Sequence, residues 1–109
     1  MKIDFSLVPE TVIHNFRGGE LDTRAQMVTD SLSKIMRLRL VPGASIGMHT
    51  HETNSEMIYV ISGVGTMLCD GEYETLELGN AHYCPKGHSH SFMNRGTEDL
   101  VFFAVVPEQ

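Results

Sequence analysis

A chain of 109 residues with 41% hydrophobic and 20% charged side chains has the size and balance of one small globular domain with a single core. Its net charge of −6 argues against a nucleic-acid surface, which is usually basic. No apolar run approaches the ~20 residues of a membrane span, and the opening MKIDFSLVPE does not read as a signal peptide, so a cytoplasmic protein with neither nucleic-acid nor membrane partners is expected.

Taken in order, Thr11 to Phe16 and Arg24 to Thr29 read as short strands about a turn at Arg17, Gly18 and Gly19. Ser33 to Val41 is a clear strand. Met36, Leu38 and Leu40 fall on one face of it, with Lys34 sharing their parity near the end, while Arg37 and Arg39 fall on the other. Pro42-Gly43 makes a turn. Met57 to Ile61 is an apolar strand closed by Ser62-Gly63, and Gly65 to Cys69 and Tyr73 to Leu78 flank the hairpin signal Asp70-Gly71. Ala81 to Cys84, His90 to Asn94 and the wholly apolar Leu100 to Val106 follow, separated by Pro85-Lys86-Gly87 and by the polar loop Arg95 to Asp99. Short strands between Gly, Pro and Asp-Gly turns, with no sustained helical period, predict an all-β sandwich or barrel. Residues 1–30 read as an N-terminal arm with strands and residues 31–109 as the barrel, one domain overall.

The stretch Gly43 to Gly63, GASIGMHTHETNSEMIYVISG, organises the rest. Side chains alternate along a strand, so His49 and His51 share a face, with Thr50 opposite. The polar turn Glu52 to Ser55 returns the chain so that Glu56 comes back beside the histidine pair. Imidazole and carboxylate are the donors that a mid-row divalent metal takes. Standing alone, a His-x-His pair is more often a solvated hairpin end.

A second constellation changes that balance. Gly43, His49, His51, Glu56 and Gly63 match the first motif of the cupin family in order and spacing, and Gly79, Pro85, Gly87, His90 and Asn94 match its second. The fifteen residues Val64 to Leu78 lie between the motifs, as in small microbial cupins. Asn80 stands where many members have aspartate, and both suit a turn. The sequence therefore resembles a small single-domain cupin. The resemblance implies a double-stranded β-helix, or jelly-roll barrel. It also implies one divalent ion per chain (Mn, Fe, Ni, Co or Zn) on His49, His51, Glu56 and His90, with coordination positions left for water or substrate.

The remaining histidines are weighed singly. His14 and His88 read as surface residues. His82 lies in an apolar strand and is the one candidate acid or base. The expected pocket wall is Met36, Leu38, Ile58, Val60, Phe92 and Phe102, with Met67 and Tyr59 at the rim or at a subunit interface. Cys69 and Cys84 show neither a disulfide framework nor a zinc spacing and are expected to be reduced thiols. The reading is a metal-binding cupin that acts on or binds a small oxygen-rich or carboxylate metabolite, of dioxygenase, decarboxylase or isomerase type. The alternative is a non-catalytic small-molecule or metal sensor. The apolar outward face of the last strand, Val101, Phe103 and Val105, predicts a homodimer.

Overall fold

The structure, a computed structural model, describes residues 1–109. The chain forms ten strands: β1 (Thr11–His14), β2 (Asp22–Thr29), β3 (Ser33–Leu40), β4 (Ser45–Thr50), β5 (Glu56–Ser62), β6 (Val64–Cys69), β7 (Glu72–Glu77), β8 (Ala81–Cys84), β9 (Ser89–Met93) and β10 (Leu100–Pro107). They make two sheets, β1-β2-β3-β10-β5-β8 and β4-β9-β6-β7, and every pairing within them is antiparallel. Two sheets packed face to face, with the chain crossing between them, are the double-stranded β-helix that the sequence predicts. No helix is long and apolar enough to cross a membrane.

Alternation along the strands places the core. Met36, Leu38 and Leu40 of β3 are buried, while Arg37 and Arg39 lie on the outer face, where Arg39 meets Glu10 and Asp99. Along β10, Leu100, Phe102, Ala104 and Val106 are buried and the residues between them are not. The Asp70-Gly71 turn joins β6 to β7, both residues at positive φ (49° and 82°), as a two-residue hairpin requires.

The leading residues belong to the large sheet, because Thr23 to Thr29 of β2 pair with β3. β1 stops at His14, two residues short of the predicted end. The chain there turns through left-handed Asn15 (φ 50°) and Arg17 (φ 56°) and makes a short 3-10 turn, Phe16–Gly18. That turn packs against β4, with consequences for the site.

A bulge in β4 is the feature with most effect on the site. Ile46 stands opposite Phe92 and His49 opposite His90, so the three steps along β4 face two along β9. The extra residue at Gly47-Met48 reverses the parity of β4. Ile46 points into the core before the bulge, and His49 and His51 point inward after it, which an unbroken strand would not allow.

Candidate metal centre

Four side chains from both sheets converge. His49 lies on β4, His51 just beyond it, Glu56 at the start of β5 and His90 on β9; their ligand atoms all lie within 4.8 Å of one another. The three imidazole centroids form a near-equilateral triangle with sides of 4.7, 4.9 and 5.0 Å. Glu56 Oε1 is 3.2 Å from His51 Nε2 and 2.9 Å from His90 Nε2, and the two Nε2 atoms are 3.0 Å apart.

The donor set fits a metal ion on two grounds. Neighbouring vertices of a six-coordinate ion with ~2.1 Å bonds lie ~3.0 Å apart, which is the spacing of these atoms. Each histidine also has its other nitrogen engaged. His49 Nδ1 donates to Gly47 O (2.7 Å), His51 Nδ1 donates to Asn54 Oδ1 (2.6 Å), and His90 Nδ1 meets His82 Nε2 (3.1 Å). A proton held on Nδ1 leaves the Nε2 lone pair for the ion. Asn54 is itself held by Glu108, through Nδ2 to Oε1 at 3.0 Å.

The electrostatics point the same way. Burial alone would raise the Glu56 carboxyl, but hydrogen bonds from His51 and His90 outweigh it and bring it down to about 2. Glu56 therefore stays an anion in a buried place, ready for a cation. Its hydrogen bond raises His51 above the ordinary imidazole value, while burial lowers His49.

A cavity of about 60 Å³ opens onto His49, His51 and Glu56, roughly the space of two water molecules. Met36 and Leu38 line it. Ile58, Val60, Phe92 and Phe102 do not: they are packed in the core, with Phe92 and Phe102 edge to face at 5.0 Å. Met67 is fully buried rather than at a rim. They face inward, but the barrel is filled by its own side chains over much of its depth, so inward-facing does not mean cavity-lining.

Two basic residues line the same cavity, Arg17 and Lys34. Lys34 shares the inward parity of Met36 and Leu38, a signal present in the sequence. Arg17 reaches the cavity only because its arm docks on β4. At the contact, a Cβ on Gly19 would lie 2.1 Å from Ser45 O, so only glycine lets the two backbones come so close.

His82 is buried but does not line that cavity. Its ring lies against His90, with Nε2 on His90 Nδ1, and its own Nδ1 meets Glu74 Oε1 at 2.5 Å. Glu74, His82 and His90 thus form a chain running away from the four-ligand cluster, with a carboxylate and an imidazole behind a ligand. His14 and His88 lie on the surface, each against an aspartate, Asp22 and Asp70. Cys69 and Cys84 are free thiols.

Residues 36–106 match the family model described as a cupin domain. The oxalate-binding protein of Thermotoga maritima is 31% identical over 106 residues, covering 92% of this chain and 87% of that protein. The crystal structure of a predicted oxalate decarboxylase from Thermotoga maritima superposes with a TM-score of 0.94 over the whole of both chains, at 29% identity. A sugar phosphate isomerase of the cupin superfamily from Silicibacter pomeroyi shares the fold, with a TM-score of 0.81 and 20% identity over all of this chain and 76% of that one. The matched residues run through the strands that carry the four-ligand cluster, and the chain belongs to the cupin family.

Proposed function

We propose that this cupin holds one divalent transition metal on His49, His51, Glu56 and His90 and binds a small dicarboxylate of the oxalate type beside it. The observation that carries this reading is the pairing of a donor cluster with two cationic side chains, Arg17 and Lys34, around one small cavity. Three neutral imidazoles and one carboxylate leave a net positive charge on a divalent ion. A compact dianion matches that charge, and the cavity has little room for more. The oxalate-binding relative supports the choice of ligand. Mn, Fe, Co, Ni and Zn all accept such donors.

When bound, the ion supplies Lewis acidity or a platform for dioxygen. The chain's own residues supply the rest. Glu56 fixes the charge of the site, Asn54 and the Gly47 carbonyl hold the ring orientations, and Arg17 and Lys34 draw and orient an anion. Every carboxylate and imidazole lining the cavity is a member of the ligand cluster. Binding is therefore the reading that the cavity favours, with turnover as a further outcome to be measured. Calorimetry of manganese-loaded protein with oxalate tests it. Arg17→Gln should weaken binding about tenfold to a hundredfold, the worth of a charge-assisted hydrogen bond. Oxalate binding that is equal with and without metal overturns the reading.

The protein also acts, in this reading, as a homodimer. Phe5 of the N-terminal segment already packs on Phe103 at 6.2 Å and covers part of the outer face of the large sheet. Beside it an apolar groove of about 410 Å³ remains, lined by Met57, Tyr59, Tyr83 and Val105 among others. Exposed aromatic and thioether side chains on one sheet face suit a two-fold contact with a second copy.

A further inference from the structure

We propose that Cys69, Cys84 and His82 form a second metal site, for a thiophilic ion such as Zn(II), and that filling it opposes filling of the first. The opposition rests on the assignment of His90 to the first site; the second site does not.

The donors come from both sheets, as in the first site. His82 and Cys84 alternate with exposed Tyr83 on β8 and so face inward together; Cys69 ends β6 in the other sheet. One ligand atom from each lies within 4.8 Å of the other two. Vertices of a tetrahedral zinc–sulfur site with ~2.3 Å bonds lie ~3.8 Å apart, so small rotamer changes close the set. Two thiolates and an imidazole select a soft ion, whereas the first site holds no sulfur. Cys69 and His82 also line a cavity of about 470 Å³ with Asp70, Glu72 and Glu74. That cavity gives an ion a way in, and its carboxylates attract a cation. Cys84 has no use as a nucleophile: burial, with the neighbouring Cys69, Glu56 and Asp70, pushes its thiol up to about 12. An ion bound to both sulfurs displaces one proton from each thiol to solvent.

The opposition comes from the contact between His82 Nε2 and His90 Nδ1 at 3.1 Å, which has room for one proton. An ion on His90 Nε2 requires the proton on His90 Nδ1, donated to His82 Nε2. The proton belonging to His82 then sits on Nδ1, donated to Glu74. With His82 Nε2 turned to His90, the nitrogen left for an ion in the second site is Nδ1, and an ion there requires the reverse. The shared proton then sits on His82 Nε2, donated to His90, and the His90 proton sits on Nε2, donated to Glu56 Oε1 at 2.9 Å. Two neutral imidazoles satisfy one arrangement or the other, so each ion weakens the other.

Cobalt(II) is a direct probe, because thiolate ligation gives a near-ultraviolet charge-transfer band that nitrogen and oxygen ligands do not. Reduced, metal-free protein titrated with cobalt should show the band, and Glu56→Ala, which lacks a first-site ligand, should show it at lower cobalt because the first site also takes cobalt. Cys69→Ser and Cys84→Ser should each lose it while still retaining manganese at the first site, which also shows that the variants fold. Preloading manganese should raise the cobalt needed for half-maximal band intensity by tenfold or more, the size of a two-site coupling of about 1.4 kcal/mol. Absence of the band in both the wild-type protein and Glu56→Ala, or its persistence in Cys69→Ser, overturns the second site. A band unmoved by manganese overturns the opposition. Failure of the first-site assignment shows separately, as wild-type protein that retains no manganese by electron paramagnetic resonance.

Discussion

A Cβ on Gly47 would lie 2.1 Å from the Arg17 carbonyl oxygen. The bulge of β4 and the arm that carries Arg17 therefore touch backbone to backbone, and Gly47 O also receives the His49 Nδ1 proton. One residue without a side chain reverses the parity of β4, orients a ligand and seats the cationic arm. Gly47→Ala should push the arm away. Stability should fall by about 1–3 kcal/mol, as for other overpacked sites, and oxalate affinity should fall more than metal affinity. Thermal unfolding and calorimetry on the same preparation read both.

The four-ligand set gives the next expectation. His51→Ala or Glu56→Ala should abolish metal retention in protein purified without a histidine tag, measured by elemental analysis. The fold should survive, because the turns and apolar strands are untouched. Full metal retention by either variant would remove the cluster as the metal site.

Much of this was legible beforehand, and the reasons are physical. His49 and His51 share a face because strands alternate, and Asp70-Gly71 announces a hairpin because both positions need positive φ. The bulge at Gly47-Met48 was not legible: a single extra residue leaves no periodic trace in so short a strand. Arg17 was missed because left-handed turns at Asn15, Arg17 and Leu21 use non-glycine residues, which do not advertise them. Lys34 has the right parity, but a lysine near a strand end is ordinarily a solvated one. The contacts of His82 with His90 and Glu74 join β8, β9 and β7, and no local pattern reports such a meeting.

His82 is accordingly expected to act through His90. His82→Ala leaves His90 Nδ1 without its partner and should weaken metal affinity about tenfold to a hundredfold, as for other partners behind a metal ligand. Glu74→Gln, which keeps a hydrogen-bond acceptor at the chain's end, should cost less. A competition titration with a chromophoric chelator measures both. Unchanged affinity in His82→Ala would reduce His82 to a packing residue.

The pH dependence follows from the directions of the shifts. His51 is raised above its ordinary 6.5, so protons compete for its nitrogen from above that pH, and metal retention should fall as pH drops through the raised value. In the metal-free protein the same group contributes stability that is present below 6.5 and lost as pH rises through its folded value. Glu56 has the opposite sign. Its folded value of about 2 lies below the ordinary 4.5, so its contribution is present above 4.5 and lost as pH falls from there toward 2. His49 and His82 are lowered by burial and add to the loss on acidification below 6.5. Metal-free protein should thus lose stability on acidification as His49 and His82 take up protons, offset in part by His51, and again as Glu56 is protonated. Glu56→Gln should shrink the carboxylate stage, which the also-lowered Asp4, Asp30, Asp70 and Glu108 share, as read by denaturant midpoints across pH.

The last expectation concerns assembly. Met57, Tyr59 and Tyr83 are about half exposed on one face of the large sheet, at 44%, 47% and 57%. Singly, such residues are ordinary on a surface; together around one groove they form an apolar patch. β8 is an edge strand of this sheet, and its Tyr83 stands directly opposite Met57, so a two-fold contact would extend across the edge. Tyr59→Glu places a charge in the middle of the patch without touching the metal ligands. Light scattering at micromolar concentration should show a dimer for the parent chain and a monomer for Tyr59→Glu, with metal content unchanged. A monomeric parent chain would mean that the groove has no self-partner.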